Sequence, residues 1–156
     1  MRRTDREIRD PQEIARIMSR CRVVSVAFGG EDPYVIPMNF GFACEDGRFS
    51  LYLHGAAAGE KIDRVRRDPR AAFSMFTGET LLPGEIACGY TMDFESVCGS
   101  GMITMLDGEE KREGLSRLMA QFAPEREWTF DERMLRAVAV LRLDVRQISG
   151  KRHAVR

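Results

Sequence analysis

Apolar residues at Ile14, Ile17 and Met18 recur at helical spacing among charged positions, then give way to "RVVSVAF", where β-branched residues dominate. The change of period places a helix-to-strand boundary near Arg20. Asp10-Pro11-Gln12-Glu13 supplies the helix start, with Asp10 as N-cap, Pro11 at the first helical position and Glu13 three residues on. "GGEDP" interrupts the strand pattern and "YVIPMNFGFA" resumes it. "CEDG" is a turn signal, and "RFSLYLH" alternates as a third strand, giving a meander. Residues 58–68 carry Ile62 and Val65 among charges, which predicts a short amphipathic helix stopped before Pro69. "RAAFSMF" reads as a fourth strand. The stretch from Gly89 to Leu106, rich in aromatic and β-branched residues with interspersed glycines, reads as one or two long bent strands. "GEEKREGLSRLMAQFA" returns to the helical period with Leu115, Leu118, Met119 and Phe122 facing inward. A short helix from Asp131 then passes into a last strand, "AVAVLRLDV".

Strands that follow one another through tight turns predict an antiparallel sheet, and six to seven of them a small barrel with peripheral helices. The fold class is therefore mainly β, with no alternating βαβ order. Residues 1–156 form a single domain on this reading, large enough to bury a core without disulfide or metal staples. At 44% hydrophobic and 31% charged, the composition is that of an ordinary globular protein. Twenty-four basic and 24 acidic residues cancel, so the chain carries no overall bias toward nucleic acid or an anionic membrane. "MRRTDREIRD" leads into no apolar stretch, and no run approaches the roughly 20 residues that span a bilayer. The expectation is a cytoplasmic protein. Cys21, Cys44, Cys88 and Cys98 form no CxxC pair and are expected as buried thiols, while His54 and His153 are too few and too far apart for a metal site.

One stretch carries candidate chemistry. "LYLHGAAAGEKIDRVRRDPRAAF" runs from a strand through small residues into Lys61 and a basic run. A triphosphate P-loop is excluded, because Gly55 and Gly59 have the wrong spacing and Ile62 stands where a hydroxyl would hold magnesium. Two readings remain. Small residues 55–59, helix N–H groups and Lys61 suit an anion. Equally, this is a Gly/Ala-rich corner with Lys61, Arg64, Arg66 and Arg67 on a solvated face. The basic run is too short, and too poor in aromatics, for nucleic acid.

"YVIPMNFGF", "LYLHGAAAGEKID", "CGYTMDFESVCGSG", "EEKREGLSRLM" and "ISGKR", in this order and spacing, resemble the Nim-type branch of the pyridoxamine 5'-phosphate oxidase-like flavoproteins. That branch includes the 5-nitroimidazole resistance proteins. The resemblance covers residues 5–152 and implies a split β-barrel homodimer with FMN at the subunit interface. It implies that Ile36, Pro37, Met38 and Asn39 run beside the flavin ring, and that His54 and Gly55 end the neighbouring strand near the ribityl chain or ring. It further implies that Lys61 reaches the phosphate and that Ser96, Val97 and Gly99 line the same cleft. FMN phosphate carries close to two negative charges, which suits Lys61 and N–H donors.

The implied function is an FMN-dependent reductase of a small electron-poor acceptor such as a nitro compound, with His54 as candidate proton donor. A flavin-binding or redox-sensing module and an oxidase of pyridoxamine 5'-phosphate are the alternatives. Relatives of this barrel also hold deazaflavin or heme. The oxidases proper carry an arginine-histidine pair near the C-terminus, and Gly150-Lys151-Arg152-His153 contains such a step in unmatched surroundings. Trp128 is expected either over the flavin of the partner subunit or in the core.

Overall fold

The structure, a computed structural model, describes residues 4–153. Its first helix, α1 (Pro11–Arg20), begins as its sequence predicts, with the Asp10 carboxylate accepting from the Gln12 N–H at 3.2 Å. Glu13 does not reach back to complete a capping box. Its carboxylate accepts instead from Arg16 and from Arg152, near the other end of the chain. Ile14, Ile17 and Met18 are fully buried.

Eight strands form one antiparallel sheet: β1 (Glu7–Ile8), β2 (Val24–Phe28), β3 (Val35–Met38), β4 (Phe40–Glu45), β5 (Arg48–Ala56), β6 (Arg70–Leu82), β7 (Thr91–Leu106) and β8 (Val138–His153). The expectation of six to seven fell short for two reasons. β1 is a two-residue strand inside a charged segment, and it pairs only with the end of β8. "YVIPMNFGFA" is divided at Asn39 into two strands with different partners. The sheet runs β3-β2-β6-β7-β8-β5-β4. Its two end strands are consecutive in sequence, so Asn39 alone closes the sheet into a barrel, and the barrel is split beside that residue. The β4–β5 turn places Asp46 and Gly47 at φ 50° and 77°, the backbone that a two-residue hairpin demands.

Inside the barrel, Phe40, Leu51, Leu53, Met75, Val97, Leu141 and Leu143 pack with the apolar face of α1. The helix α2 (Glu60–Arg67) adds Ile62 and Val65 to the same core. A smaller cluster of Leu106, Leu115, Leu135 and Val140 lies under α3 (Gly108–Ala120) and α4 (Glu132–Ala137), with Tyr52 packed against it. Leu51 and Leu53 belong to the first cluster and Tyr52 to the second, as the two faces of β5 require.

Two expectations are corrected. Phe122 does not face inward: α3 ends at Ala120, helical spacing lapses, and the ring lies exposed under the Arg22 guanidinium at 5.9 Å. Of the four free cysteines only Cys21 is buried, and burial pushes its thiol up to about 11. Cys44 and Cys98 take outward positions on their strands, and Cys88 sits in the turn before β7.

Candidate functional site: the split in the barrel

The β4–β5 ladder runs from Glu45↔Arg48 to Phe40↔Leu53 and stops there. Beyond it β5 continues through His54, Gly55 and Ala56, paired only with Val140, Ala139 and Val138 of β8. On the other side the chain turns away at Asn39, and β3 pairs only with β2. Two strand edges therefore face the split without ladder partners, Val35–Met38 on one lip and His54–Ala56 on the other. Unpaired edge N–H and C=O groups can hydrogen-bond a flat polar ligand edge as they would a strand. Ile36, Pro37 and Met38 thus lie on one unpaired edge, which ends at Asn39, and His54 and Gly55 lie on the other. Asn39 holds the fork itself, its side-chain amide donating to the Arg22 carbonyl at 3.2 Å. Ile36 and Met38 turn inward and Pro37 outward, so what this strand offers the split is backbone.

Lys61 lies across the second lip. A Cβ added to Gly55 would stand 2.0 Å from Lys61 Nζ, so the glycine is what lets the ammonium fold over the strand. Among the described residues no carboxylate pairs with it, since that of neighbouring Glu60 is held by Arg64 at 2.6 Å. Partial burial lowers the Lys61 pKa from the ordinary lysine value. His54 is lowered as well, first by the surrounding protein and then by the Lys61 charge, although its side chain has an open, exposed side. The α2 N-terminus opens on Gly59 at φ 112°, with no side-chain cap on its first N–H groups.

Ser96, Val97 and Gly99 lie elsewhere. Ser96 opposes Lys151 near the far end of β8, whereas His54 opposes Val140 near its start. Val97 is fully buried in the barrel core, and a Cβ on Gly99 would meet the Phe73 ring at 2.6 Å. Only Ser96 of the three presents a side chain on the outer face. In one chain these residues do not share a pocket with Lys61.

The arginine-histidine step near the C-terminus is occupied. Arg152 donates to Glu95 at 2.7 Å and to Glu13 at 2.5 Å, while His153 Nδ1 lies 2.7 Å from the Met92 carbonyl. Trp128 is half-buried beneath Arg126, 4.2 Å from its ring, and its enclosed indole N–H has no acceptor among the described residues. Arg64, which one sequence reading puts on a solvated face, is enclosed instead. Its side chain is 11% exposed, whereas that of Arg66 on the same helix is 60% exposed. The i,i+4 spacing of Glu60 and Arg64 was the available signal. No group of three or more His, Cys, Asp and Glu side chains suited to a metal forms among the described residues, and no helix there is long and apolar enough to cross a membrane.

Comparison with known proteins places this geometry. The chain is similar to the structure of a candidate 5-nitroimidazole antibiotic resistance protein from Bacteroides thetaiotaomicron, with 30% identity, 93% of this chain and 85% of that one covered, and a TM-score of 0.79. The flavocytochrome Anf3 from Azotobacter vinelandii shares the fold at 21% identity, with 99% and 72% covered and a TM-score of 0.81. The FAD and heme binding protein from Mycobacterium smegmatis shares it at 18% identity, with 96% and 74% covered and a TM-score of 0.84. No curated protein matches. A family model described as pyridoxamine 5'-phosphate oxidase matches residues 10–152, nearly the whole length, and on that match the chain belongs to the pyridoxamine 5'-phosphate oxidase-like family.

Proposed function

We propose that this chain is an FMN-binding oxidoreductase that works as a homodimer and reduces small electron-poor acceptors, nitroaromatic compounds among them. The observation that carries the reading is the Lys61 ammonium, part-buried over Gly55 beside an uncapped helix N-terminus and without a carboxylate partner. A buried charge without a counter-ion is costly, and an anion delivered to it recovers that cost. A phosphate fits the donor set: one ammonium, free N–H groups and no competing acid. The backbone edges of Val35–Met38 and His54–Ala56 suit the polar rim of a flavin ring attached to that phosphate.

FMN, when bound, supplies reversible two-electron transfer. The chain's own residues bind and orient it. Lys61 fixes the phosphate and the β3 edge fixes the ring. The His54 pKa is lowered, first by burial and then by the Lys61 charge, which favours the neutral ring with one N–H donor and one ring acceptor. The protons needed by a reduced acceptor then come through a neutral ring or through solvent.

Two features support a dimer. Ser96 stands too far along the sheet from Lys61 to serve the same site within one chain, and a two-fold partner can bring its own Ser96 to that site. The outer face of β3-β2-β6-β7-β8 carries the small residues Pro37, Ser25, Ser74, Cys98 and Ser149 in one register row. Val35, Phe76, Leu81, Ile86 and Tyr90 stand exposed. Apolar exposure on that scale marks an association surface. The neighbour from Bacteroides thetaiotaomicron, described by its nitroimidazole resistance, supports the acceptor class.

Lys61→Ala tests the site. FMN affinity should fall by roughly 1.5–3 kcal/mol, the loss of a charge-assisted hydrogen bond, while riboflavin, which has no phosphate, binds both proteins equally. Unchanged FMN affinity in the variant would put the phosphate elsewhere. The acceptor is tested separately, by mixing FMN-loaded, reduced protein anaerobically with a 5-nitroimidazole. Reoxidation should saturate with acceptor and outpace free reduced FMN; parity with free flavin removes the nitroreductase reading and leaves the flavoprotein one.

A further inference from the structure

The loop that precedes β3 and the helix that carries Lys61 are joined by a single side chain. Arg64 Nη1 donates to the Asp32 carbonyl at 2.7 Å, and its Nε donates to the Glu60 carboxylate at 2.6 Å. Its Cζ stands 4.7 Å from the centre of the Tyr34 ring. Among the described residues this is the one side-chain hydrogen bond between the 29–34 loop and α2. Tyr34 immediately precedes Val35, where the ring-side lip begins, and Lys61 is one helical turn before Arg64 on the phosphate side. One guanidinium therefore ties the two lips of the split to each other.

The surroundings are built for that fork. Gly30 has φ 133°, and a Cβ there would lie 3.0 Å from Arg64 Nη1. A cavity of about 330 Å³, lined in part by Gly29, Gly30, Asp32 and Arg64, separates loop from helix. Ile62 and Val65 anchor the inner side of α2 in the core, and across the outer gap the guanidinium bridges loop and helix. A lysine cannot reproduce the contact, because the planar fork serves the carbonyl, the carboxylate and the ring face together.

We propose that Arg64 is a positioning residue for the split: it sets the spacing between the Lys61 corner and the β3 edge, and thereby the preference for a phosphorylated flavin over an unphosphorylated one. This rests on the reading of the split as the FMN site. The partners of Arg64 are the Asp32 carbonyl, the Glu60 carboxylate and the Tyr34 ring, so on this proposal it acts through the two segments it joins.

The readout is the ratio of riboflavin to FMN dissociation constants, measured by titration of folded protein. Arg64→Ala should lower that ratio about tenfold, the usual effect of losing a residue that orients a ligand's direct partners. Arg64→Lys should not restore it. Tyr34→Phe, which keeps the ring face, should leave the ratio intact, and Tyr34→Ala should lower it. In a Lys61→Ala background, Arg64→Ala should change the ratio no further, because it acts through Lys61. A full additional loss there would make Arg64 a direct ligand contact and overturn the positioning role, as would a wild-type ratio in folded Arg64→Ala protein.

Amide exchange of the cofactor-free protein separates this proposal from the reading beneath it. Arg64→Ala should speed exchange in residues 29–34 and in the first turn of α2. If Lys61→Ala leaves FMN binding unchanged while exchange still rises, the FMN site is lost and the clamp between the segments stands. If exchange is unmoved, the clamp is wrong whatever Lys61 does.

Discussion

Basic residues crowd both ends of the barrel, in opposite circumstances. At the C-terminal end of β8, Glu95 receives Arg16 and Arg152 at 2.7 Å each and Arg20 as well, and Arg152 also reaches Glu13. Three arginines and two carboxylates there tie α1 to β7 and β8. At the split, Lys61 is part-buried and has no carboxylate partner among the described residues. The pKa shifts follow the same division. Partial burial alone would raise Glu95, but Arg152 and Arg16 outweigh it and hold the carboxylate low. At the split, burial lowers Lys61 with nothing to oppose it. Charges that satisfy one another make structure, and a charge left unsatisfied in a part-buried place is available to a ligand. The arginine of the C-terminal arginine-histidine step belongs to the satisfied end, engaged by Glu95 of β7 and Glu13 of α1.

The largest expected effect breaks the satisfied end. Glu95→Ala leaves three arginines facing one another with only Glu13 between them. Breaking a fully buried pair costs about 3–5 kcal/mol. Here the arginines are about two-fifths exposed, which brings the expectation down to about 2 kcal/mol. Thermal unfolding should drop by roughly 4–8 °C for a chain of this length. The phosphate preference of the split should not change; if it does, the two ends are coupled and the contrast drawn here fails. The same network predicts an acid limb. Glu95 and Glu13 have folded-state pKa values below their unfolded ones, so their contribution is complete above the ordinary carboxylate range and is lost as pH falls through the lowered values. Below about pH 4.5 the stability gap between wild type and Glu95→Ala should narrow.

Next in size is a substitution at the unsatisfied end. Gly55→Ala puts a methyl group where Lys61 Nζ lies. The atom displaced is the tip of a flexible side chain, so stability should stay within about 0.5 kcal/mol of wild type, as for other surface changes. FMN binding should still weaken by about 1.5 kcal/mol, because the ammonium can no longer fold over the strand. The result would mimic Lys61→Ala while the charge is kept. Wild-type FMN affinity in Gly55→Ala would show that the position of the ammonium, as distinct from its presence, is irrelevant.

Much of this was legible in the sequence, and the exceptions have physical causes. α1, β5 and α3 follow their periodicities, and the small residues before Lys61 mark the corner. The division at Asn39 was not legible, because "YVIPMNFGFA" is apolar throughout and local pattern does not say which neighbour each half will pair with. β8 continues to His153, well past "AVAVLRLDV", since Arg146–His153 is polar along the chain and its partners on β7 and β1 are remote in sequence. Ile36–Met38 lie on one unpaired strand edge and His54–Ala56, under Lys61, on another, the two segments that the resemblance singles out. Ser96, Val97 and Gly99 do not join them within one chain. Alternation along β7 turns Val97 into the core and leaves Ser96 outside. Arg64 was hidden for a different reason. A helical arginine beside a glutamate reads as solvated until Tyr34 and Asp32 are seen to enclose it.

The smallest expected effect belongs to His54. Burial lowers its pKa and the Lys61 charge lowers it further, so the two groups lie within Coulombic reach of each other. An anion held by Lys61 lies within the same reach and acts with the opposite sign: it offsets the repulsion and favours the imidazolium. FMN binding should therefore draw a proton toward His54, and affinity should rise as pH falls through the histidine range. The phosphate's own protonation, near pH 6, pulls the other way. That opposing effect is common to wild type and to His54→Gln, so the ratio of their FMN affinities isolates the histidine. The ratio should be flat above pH 8 and should favour wild type by about twofold near pH 5, on the order of 0.5 kcal/mol for charges separated by near-aqueous dielectric. In the cofactor-free protein the sign reverses: a lowered histidine pKa means that the unfolded chain binds the extra proton, so stability rises with pH across that window. A ratio that stays level from pH 5 to pH 8 would place the bound phosphate beyond the reach of His54, and with it the end of the ligand that Lys61 is proposed to hold.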